Sequence, residues 1–224
     1  MNELNHVAFI MDGNGRWGLK KKKSRNYGHL EGIKTVQKIV EASIYFKIPI
    51  ISFYVFSSEN WKRPQNEINY LFSLINTYFK KEIDNIVKNK IRINISGRTS
   101  KLPKETRKTL TAAIKKTKKN NKLIINLAIN YGSKKEILDS MKKINLKSQK
   151  ISEENIKRNL YLNLPFPDIL IRTGGQKRLS NFMLWQIAYT EIFFLDKLWP
   201  EFTKKDLNLI IKKYYKIKRN FGGI

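Results

Sequence analysis

Six stretches of the chain carry apolar and β-branched residues at consecutive positions over strand-sized lengths. They predict strands over His6–Met11, Ile50–Phe56, Ile91–Ser96, Leu123–Ile129, Asp168–Arg172 and Glu191–Leu195. Most lack alternation, which fits strands covered on both faces. Between them the apolar positions change to helical spacing. Ile33, Val36, Ile39, Val40 and Ile44 mark a helix within Gly28–Phe46. Ile68, Leu71, Phe72, Ile75, Phe79, Ile83 and Ile86 mark a long helix over Gln65–Lys88. Shorter helices are predicted over Pro103–Lys119, Ser133–Lys143, Ser152–Leu160 and Thr203–Lys216. Ser133 and Ser152 are expected as N-caps, and Pro103 suits a first helical turn. Strands alternating with crossover helices predict an α/β fold, with a mostly parallel six-stranded central sheet flanked by helices. No repeat, linker or composition shift divides the chain, so residues 1–224 are expected to form a single domain.

Composition narrows the class. Of 224 residues 41% are hydrophobic, enough to bury a core. The absence of cysteine excludes disulfides and cysteine-bound zinc, and it fits a reducing cytoplasm. No segment reaches the roughly 18–20 apolar residues of a membrane-spanning helix. The strand-like run at His6 leaves no room for a signal peptide. A soluble, cytoplasmic protein is expected.

The charge is extreme, with 45 Lys+Arg against 18 Asp+Glu and a formal net charge of +27. Such a surface attracts polyanions. Most of the excess, however, is lysine spread along helices, as at Lys115, Lys116, Lys118 and Lys119. Lysine on a solvated helix face specifies no partner, and no nucleic-acid partner is expected.

The unusual residues follow the ends of strands. Asp12-Gly13-Asn14-Gly15-Arg16-Trp17 follows the first, and Ser57-Ser58-Glu59-Asn60-Trp61-Lys62-Arg63 the second. Asn130-Tyr131-Gly132 follows the fourth, and Arg172-Thr173-Gly174-Gly175 closes the fifth. In a parallel sheet those ends share one edge, where open α/β folds bind ligands. Gly13, Gly15, Gly174 and Gly175 would let backbone N–H groups approach an anion. Arg16, Arg25, Arg63, Arg172 and Arg178 offer planar forks for phosphate in a chain otherwise dominated by lysine. Asp12 and Glu191 would be poor neighbours for a diphosphate unless a cation lay between them, which suggests Mg²⁺.

Each feature alone has a plain structural reading. A glycine pair makes turns, Asp12 could cap a helix, and His29 could be a hydrogen-bonded structural histidine. Trp17, Trp61 and Trp185 could be core packing. The dinucleotide fingerprint and the lysine-bearing phosphate loop are both absent. The combination on one edge is what points to a site.

These residues are also recognisable. Asp12 to Trp17, followed by Gly28-His29, resembles the first signature of the cis-prenyltransferase family, of the undecaprenyl diphosphate synthase type. Phe56 to Trp61 with Arg63-Pro64 resembles the second. Ile171 to Gly175 with Arg178, Ser180-Asn181-Phe182, Trp185-Gln186 and Glu191 resembles the last. The match runs from Asn5 to Arg219-Asn220-Phe221-Gly222-Gly223.

That resemblance implies successive cis additions of isopentenyl diphosphate to an allylic diphosphate such as farnesyl diphosphate. The product would be a long polyprenyl diphosphate, a lipid-carrier precursor for cell-wall synthesis. A homodimer, Mg²⁺, a hydrophobic tunnel and peripheral membrane contact through the product are implied with it. On the same basis Asp12 would be the essential carboxylate at metal and allylic diphosphate. Gly13, Asn14, Gly15, Arg16, Arg25 and His29 would surround that diphosphate, with Trp17 near the start of the isoprenoid. Ser57, Ser58, Glu59, Asn60, Trp61 and Arg63 would line the reaction zone, Asn60 handling the proton. Arg172, Arg178, Leu179 and Ser180 would hold isopentenyl diphosphate, and Glu191 would help bind Mg²⁺.

Three positions depart from the family pattern. Lys177 stands in place of a metal-associated histidine, Gln176 in place of a glutamate, and Arg98 in place of an aspartate. A protonated lysine has no lone pair, so Lys177 is given no metal role. Two other readings compete: a basic RNA-binding module, motivated by the charge, and a non-catalytic cis-prenyltransferase subunit. The first predicts arginines and aromatics interleaved along a groove, and the second a lost first signature.

Overall fold

The computed structural model describes residues 2–219. Strand β1 (His6–Ile10) is buried at every position, and β2 (Ile50–Ser57) lies beside it in parallel register, His6 opposite Ile50. The remaining strands are β3 (Ile91–Ser96), β4 (Leu123–Tyr131), β5 (Ile169–Arg172) and β6 (Glu191–Phe194). All pairings are parallel, in the order β3-β4-β2-β1-β5-β6. The chain adds β2, β3 and β4 on one side of β1 and then returns to add β5 and β6 on the other. A reversal of this kind opens a crevice at the carboxyl ends of the central strands.

Among the described residues seven helices surround the sheet: α1 (Asn14–Lys20), α2 (Arg25–Tyr45), α3 (Gln65–Lys88), α4 (Lys104–Thr117), α5 (Ser133–Leu146), α6 (Glu153–Asn159) and α7 (Lys204–Tyr214). The predicted single α/β domain is the observed one. Helix α3 has the predicted limits, because its apolar stripe persists for many turns. Ser152 caps α6, accepting from Asn155 N at 3.2 Å.

Other boundaries differ for local reasons. Ser133 is the first residue of α5 and not its cap; its Oγ accepts from Leu184 N at 2.9 Å, tying the helix to the loop after β5. Ser24 caps α2 through Tyr27 N at 3.1 Å, so that helix begins ahead of Gly28.

Helix α1 is not among the helices the pattern predicts, because Gly13, Gly15 and Gly18 weaken helix propensity. Those glycines allow α1 to lie almost against α2. A Cβ on Gly28 would stand 1.9 Å from the carbonyl oxygen of Asn14, and one on Gly18 would stand 2.2 Å from that of Ser24. Gly13, at φ 111, lets the chain leave β1 and enter α1 without a spacer.

The principal core lies between the sheet and α2, α3, α4 and α7. Phe9, Phe53, Trp199 and Phe202 form its aromatic centre, with Trp199 and Phe202 stacked at 5.6 Å. A second cluster around Tyr131, Phe182 and Met183 fills the opposite face. Among the described residues no helix is long and apolar enough to cross a membrane.

Candidate active site

At the carboxyl end of β1 the carboxylate of Asp12 meets two guanidinium groups. Its Oδ1 lies 3.2 Å from Arg16 Nη2 and its Oδ2 lies 3.0 Å from Arg172 Nη2. Backbone contacts hold the aspartate in place, since its carbonyl accepts from Thr173 Oγ1 at 2.8 Å and Trp199 N at 3.0 Å. Arg172 ends β5 with a side chain only 4% exposed. It donates to Ser180 Oγ at 2.8 Å and to the carbonyl of Arg178. Its Nε is buried without a protein partner. Arg16 donates from Nη2 to Gly174 O at 2.7 Å.

A second charged cluster borders the first. Arg25 grips Glu67 through Nε at 3.0 Å and Nη2 at 3.3 Å. Arg63 Nη1 and His29 Nε2 reach the same Oε1 at 3.0 and 3.2 Å. Burial pushes the Glu67 carboxyl up, but Arg25, with Arg63 and His29, outweighs that and holds it below the usual range. Burial holds the His29 imidazole below its ordinary value, against the opposing pull of Glu67. Facing an ionised carboxylate, neutral His29 carries its proton on Nε2 and keeps Nδ1 as an acceptor.

Glu67 was missed by sequence reading; the available signal was a glutamate four residues after Arg63, in the first turn of the predicted helix. Replacing Glu67 by glutamine removes the one influence from a charged neighbour that raises the His29 pKa. The titration of His29, followed by NMR in a chain with only two histidines, is expected to move further down. An unchanged titration would mean the contact is not made in solution.

Between α2, α3 and the sheet runs a cavity of about 440 Å³. Asp12, Asn14, His29, Ser57, Asn60, Arg63, Arg172, Arg178 and Ser180 form its polar end. Ile33, Val36, Leu71, Ile75, Phe79 and Ile86 line the apolar remainder. Nine of the expected site residues therefore meet at one mouth. Asn60 belongs to a 3₁₀ turn, Ser58–Lys62, and its Oδ1 accepts from Ser57 N at 3.0 Å. Its amide NH₂ is thereby left to donate.

Other expected residues support the mouth from outside it. The guanidinium of Arg25 covers Gly15, where a Cβ would stand 2.7 Å from Arg25 Cζ. Trp17 stacks on Tyr27 at 5.9 Å. Asn181 Nδ2 holds Glu59 Oε1 at 2.9 Å, and Ser58 Oγ donates to the other oxygen at 3.1 Å. Trp61, partly buried, packs on Phe56 and Phe72 at the edge of the principal core and donates to Asn130 Oδ1 at 2.8 Å. Leu179 packs on the second core cluster beside Ser180.

Two expectations are corrected. The amides of Gly174 and Gly175 already donate to Lys197 O and Leu195 O, both at 2.8 Å, and do not face an anion. The first-turn N–H groups of α1, from Gly13 onward, have no intrahelical partner and keep that possibility.

Glu191, expected on the same rim as Asp12, opens β6 as predicted, which puts it at the amino end of that strand. Register pairs it with Ile169, whereas Ile10 pairs with Arg172, so Glu191 and Asp12 lie at opposite edges of the sheet. Within one chain they share no ligand. Glu191 lies 3.9 Å from Arg219 Nε, and the rest of the C-terminal motif lies outside the described residues.

The departures from the family pattern also find places. Arg98 lies apart, paired with Asp139 at 3.1 Å, while Gln176 Oε1 accepts from Arg178 Nη1 at 2.5 Å. Lys177 is exposed.

Among the described residues no three acidic or imidazole groups converge into a metal cage. Mg²⁺ does not require one, since it is commonly held by one or two carboxylates together with substrate phosphates and water. Asp12, partly exposed at the mouth and flanked by arginines, fits that mode of binding.

Comparison with known proteins agrees with this arrangement. The family model Prenyltransf, the undecaprenyl diphosphate synthase family, matches residues 10–222. An isoprenyl transferase of Fusobacterium nucleatum is 44% identical over 98% of this chain and 96% of its own length. One from Rickettsia bellii is 44% identical over 99% of both chains. A crystal structure of a probable undecaprenyl diphosphate synthase from Campylobacter jejuni superposes with a TM-score of 0.87 at 38% identity, covering all of both chains. Lavandulyl diphosphate synthase from Lavandula x intermedia, in complex with dimethylallyl diphosphate, superposes with a TM-score of 0.94 at 28% identity over 98% of both chains. With the arginine-lined mouth and apolar cavity, these likenesses show that the chain belongs to the undecaprenyl diphosphate synthase family and is a cis-prenyltransferase.

Proposed function

We propose that the protein extends farnesyl diphosphate by successive cis additions of isopentenyl diphosphate, making an undecaprenyl-type lipid-carrier precursor. The observation that carries this reading is the join of a polar, arginine-rich mouth to an apolar cavity between α2 and α3. A diphosphate would sit at Asp12, Arg16 and the start of α1, with its prenyl tail running along Ile33, Val36 and Ile75. Isopentenyl diphosphate would sit against Arg172, Arg178 and Ser180, which brings its double bond toward the allylic carbon.

In each round the allylic C–O bond breaks, a C–C bond forms, and a proton leaves the isopentenyl unit. Fixed guanidinium groups around Asp12 stabilise the departing diphosphate without reorganising. Asp12 would hold Mg²⁺ with diphosphate oxygens, supplying further charge neutralisation there. Asn60 would orient a diphosphate oxygen through its free NH₂, since an amide nitrogen is no base. The proton then passes to a diphosphate oxygen.

Because Glu191 stands at the far edge of the sheet, it could meet Asp12 only from a second copy of the chain. A homodimer is consistent with β6, an edge strand that leaves Ile192 37% exposed.

Radiolabelled isopentenyl diphosphate, farnesyl diphosphate and Mg²⁺ should yield a ladder ending in long products, abolished by a chelator. Val36→Trp, which places an indole in the cavity wall, is expected to end that ladder several units earlier. The original length with Val36→Trp would place the growing chain elsewhere, and the absence of any ladder from the unaltered protein would refute the activity.

A further inference from the structure

From Gly13 to Leu30 the chain contains no acidic residue but carries Arg16, Lys20, Lys21, Lys22, Lys23 and Arg25. The four lysines occupy the end of α1 and the turn before α2, and all are exposed. Apolar side chains stand among them: Leu19 is 56% exposed, Leu30 38% and Tyr27 37%. This is not the solvated lysine of an ordinary helix face, because apolar area and cation occur together with no carboxylate on the segment. Farther along α2, Lys34 is neutralised by Glu31 at 2.6 Å, which sets the limit of the patch. The patch also adjoins the site. His29 lines the cavity from α2, and Tyr27 and Leu30 sit to either side of it on the outer surface.

We propose that this α1–α2 shoulder is a docking surface for an anionic lipid bilayer, holding the cavity mouth against the membrane. Lysines would lie among anionic headgroups while Leu19, Tyr27 and Leu30 enter the acyl boundary, the division of labour of interfacial anchors. Charge complementarity selects an anionic membrane over a neutral one. The apolar members disfavour a nucleic-acid partner, which would need flat stacking faces along a groove. The inference rests on the proposed function, because a water-insoluble polyprenyl product gives the contact its purpose.

The test is co-sedimentation of the full protein with vesicles, either of phosphatidylcholine alone or of phosphatidylcholine mixed with phosphatidylglycerol. Binding to the mixed vesicles, weakened by added salt, is expected, with little binding to the neutral ones. The variant Lys20→Gln, Lys21→Gln, Lys23→Gln spares Lys22, whose positive φ of 54° makes it a less suitable site for change. At about fivefold per lysine, its partition coefficient should fall roughly 100-fold. Leu19→Ser alone should reduce binding several-fold. The matched variant Lys115→Gln, Lys118→Gln, Lys119→Gln removes the same charge from the end of α4 and the turn after it and should bind as the unaltered protein does.

Equal loss in both triple variants, or equal binding to neutral vesicles, would overturn the proposal. So would preferential binding of a single-stranded RNA oligonucleotide that is lost in the first triple variant. Turnover of prenyl diphosphates in detergent, unchanged in all three variants, reports on the proposed function separately. A protein that docks on vesicles but turns nothing over would refute that function and leave the docking surface standing.

Discussion

Asp12→Asn is expected to lower kcat by about 10³-fold while leaving the fold intact. The aspartate is the one carboxylate between Arg16 and Arg172, at 3.2 and 3.0 Å, so its charge sets the balance of the mouth. An amide keeps the shape but offers one acceptor and turns a donor toward a guanidinium. Under the proposed function it would also remove an oxygen that shares Mg²⁺ with a diphosphate. The backbone stays anchored, because Thr173 and Trp199 hold the carbonyl of residue 12 and not its side chain. Arg172 retains Ser180 and the Arg178 carbonyl, so unfolding stability should change by no more than about 1 kcal/mol. Steady-state kinetics with urea unfolding separates the two effects. Activity within tenfold of the unaltered enzyme would remove Asp12 from its assigned role.

The second large effect is on stability. Four polar side chains form a buried line across four neighbouring strands: Ser96 on β3, Asn126 on β4, Ser52 on β2 and His6 on β1. Their hydrogen-bond directions follow from one end. The carbonyl of Pro165 can only accept, so His6 Nδ1 donates to it at 2.7 Å and Nε2 is an acceptor. The hydroxyl of Ser52 therefore donates to Nε2 at 2.7 Å, and its oxygen accepts from Asn126 Nδ2 at 2.9 Å. Ser96 Oγ donates to Asn126 Oδ1 at 2.9 Å. A proton on Nε2 would leave the Ser52 hydrogen without an acceptor.

Burial accordingly lowers the His6 pKa to about 4, despite the carbonyl of Pro165 and the charge of Asp168. The unfolded chain takes up that proton near 6.5 and the folded chain only near 4. Stability from this group is thus complete above pH 6.5 and is lost as pH falls toward 4. The span corresponds to about 3 kcal/mol. His29, also lowered, contributes in the same direction, so the His6 share is read as a difference. His6→Gln should flatten the decline in urea-unfolding free energy between those pH values relative to the unaltered protein. An equally steep decline in the variant would contradict the assignment.

Much of this molecule could be read from its pattern of residues, and the failures have physical causes. The runs around Phe9, Phe53 and Ile171 announced buried parallel strands because both of their faces are covered. Long amphipathic α3 declared its limits for the same kind of reason. Helix α1 escaped notice because its glycines serve close packing against α2, which only the tertiary contact at Gly28 reveals. Tyr131, expected just past the fourth strand, ends β4 instead, and its buried hydroxyl donates to Glu136 at 2.5 Å, a contact its place in the sequence does not announce.

The mouth was legible through Asp12, Asn14, Asn60, Arg63 and Arg172, each next to a strand end. Glu67 was not, since a carboxylate in the first turn of a helix looks ordinary until Arg25, Arg63 and His29 close on it. Glu191 opens its strand, and in a parallel sheet a first residue lies at the amino edge, which the expectation of a shared rim overlooks. Trp61 and Trp17 share a residue type but differ in setting, and only packing shows that Trp61 abuts the principal core while Trp17 stacks on Tyr27.

A crystal structure with a non-cleavable farnesyl diphosphate analogue, isopentenyl diphosphate and Mg²⁺ would test the central claim most directly. The diphosphates are expected at Asp12, Arg16, Arg172 and Arg178, with the prenyl tail between α2 and α3 against Ile33, Val36 and Ile75. A tail lying on the outer surface, or diphosphates bound away from these arginines, would contradict it.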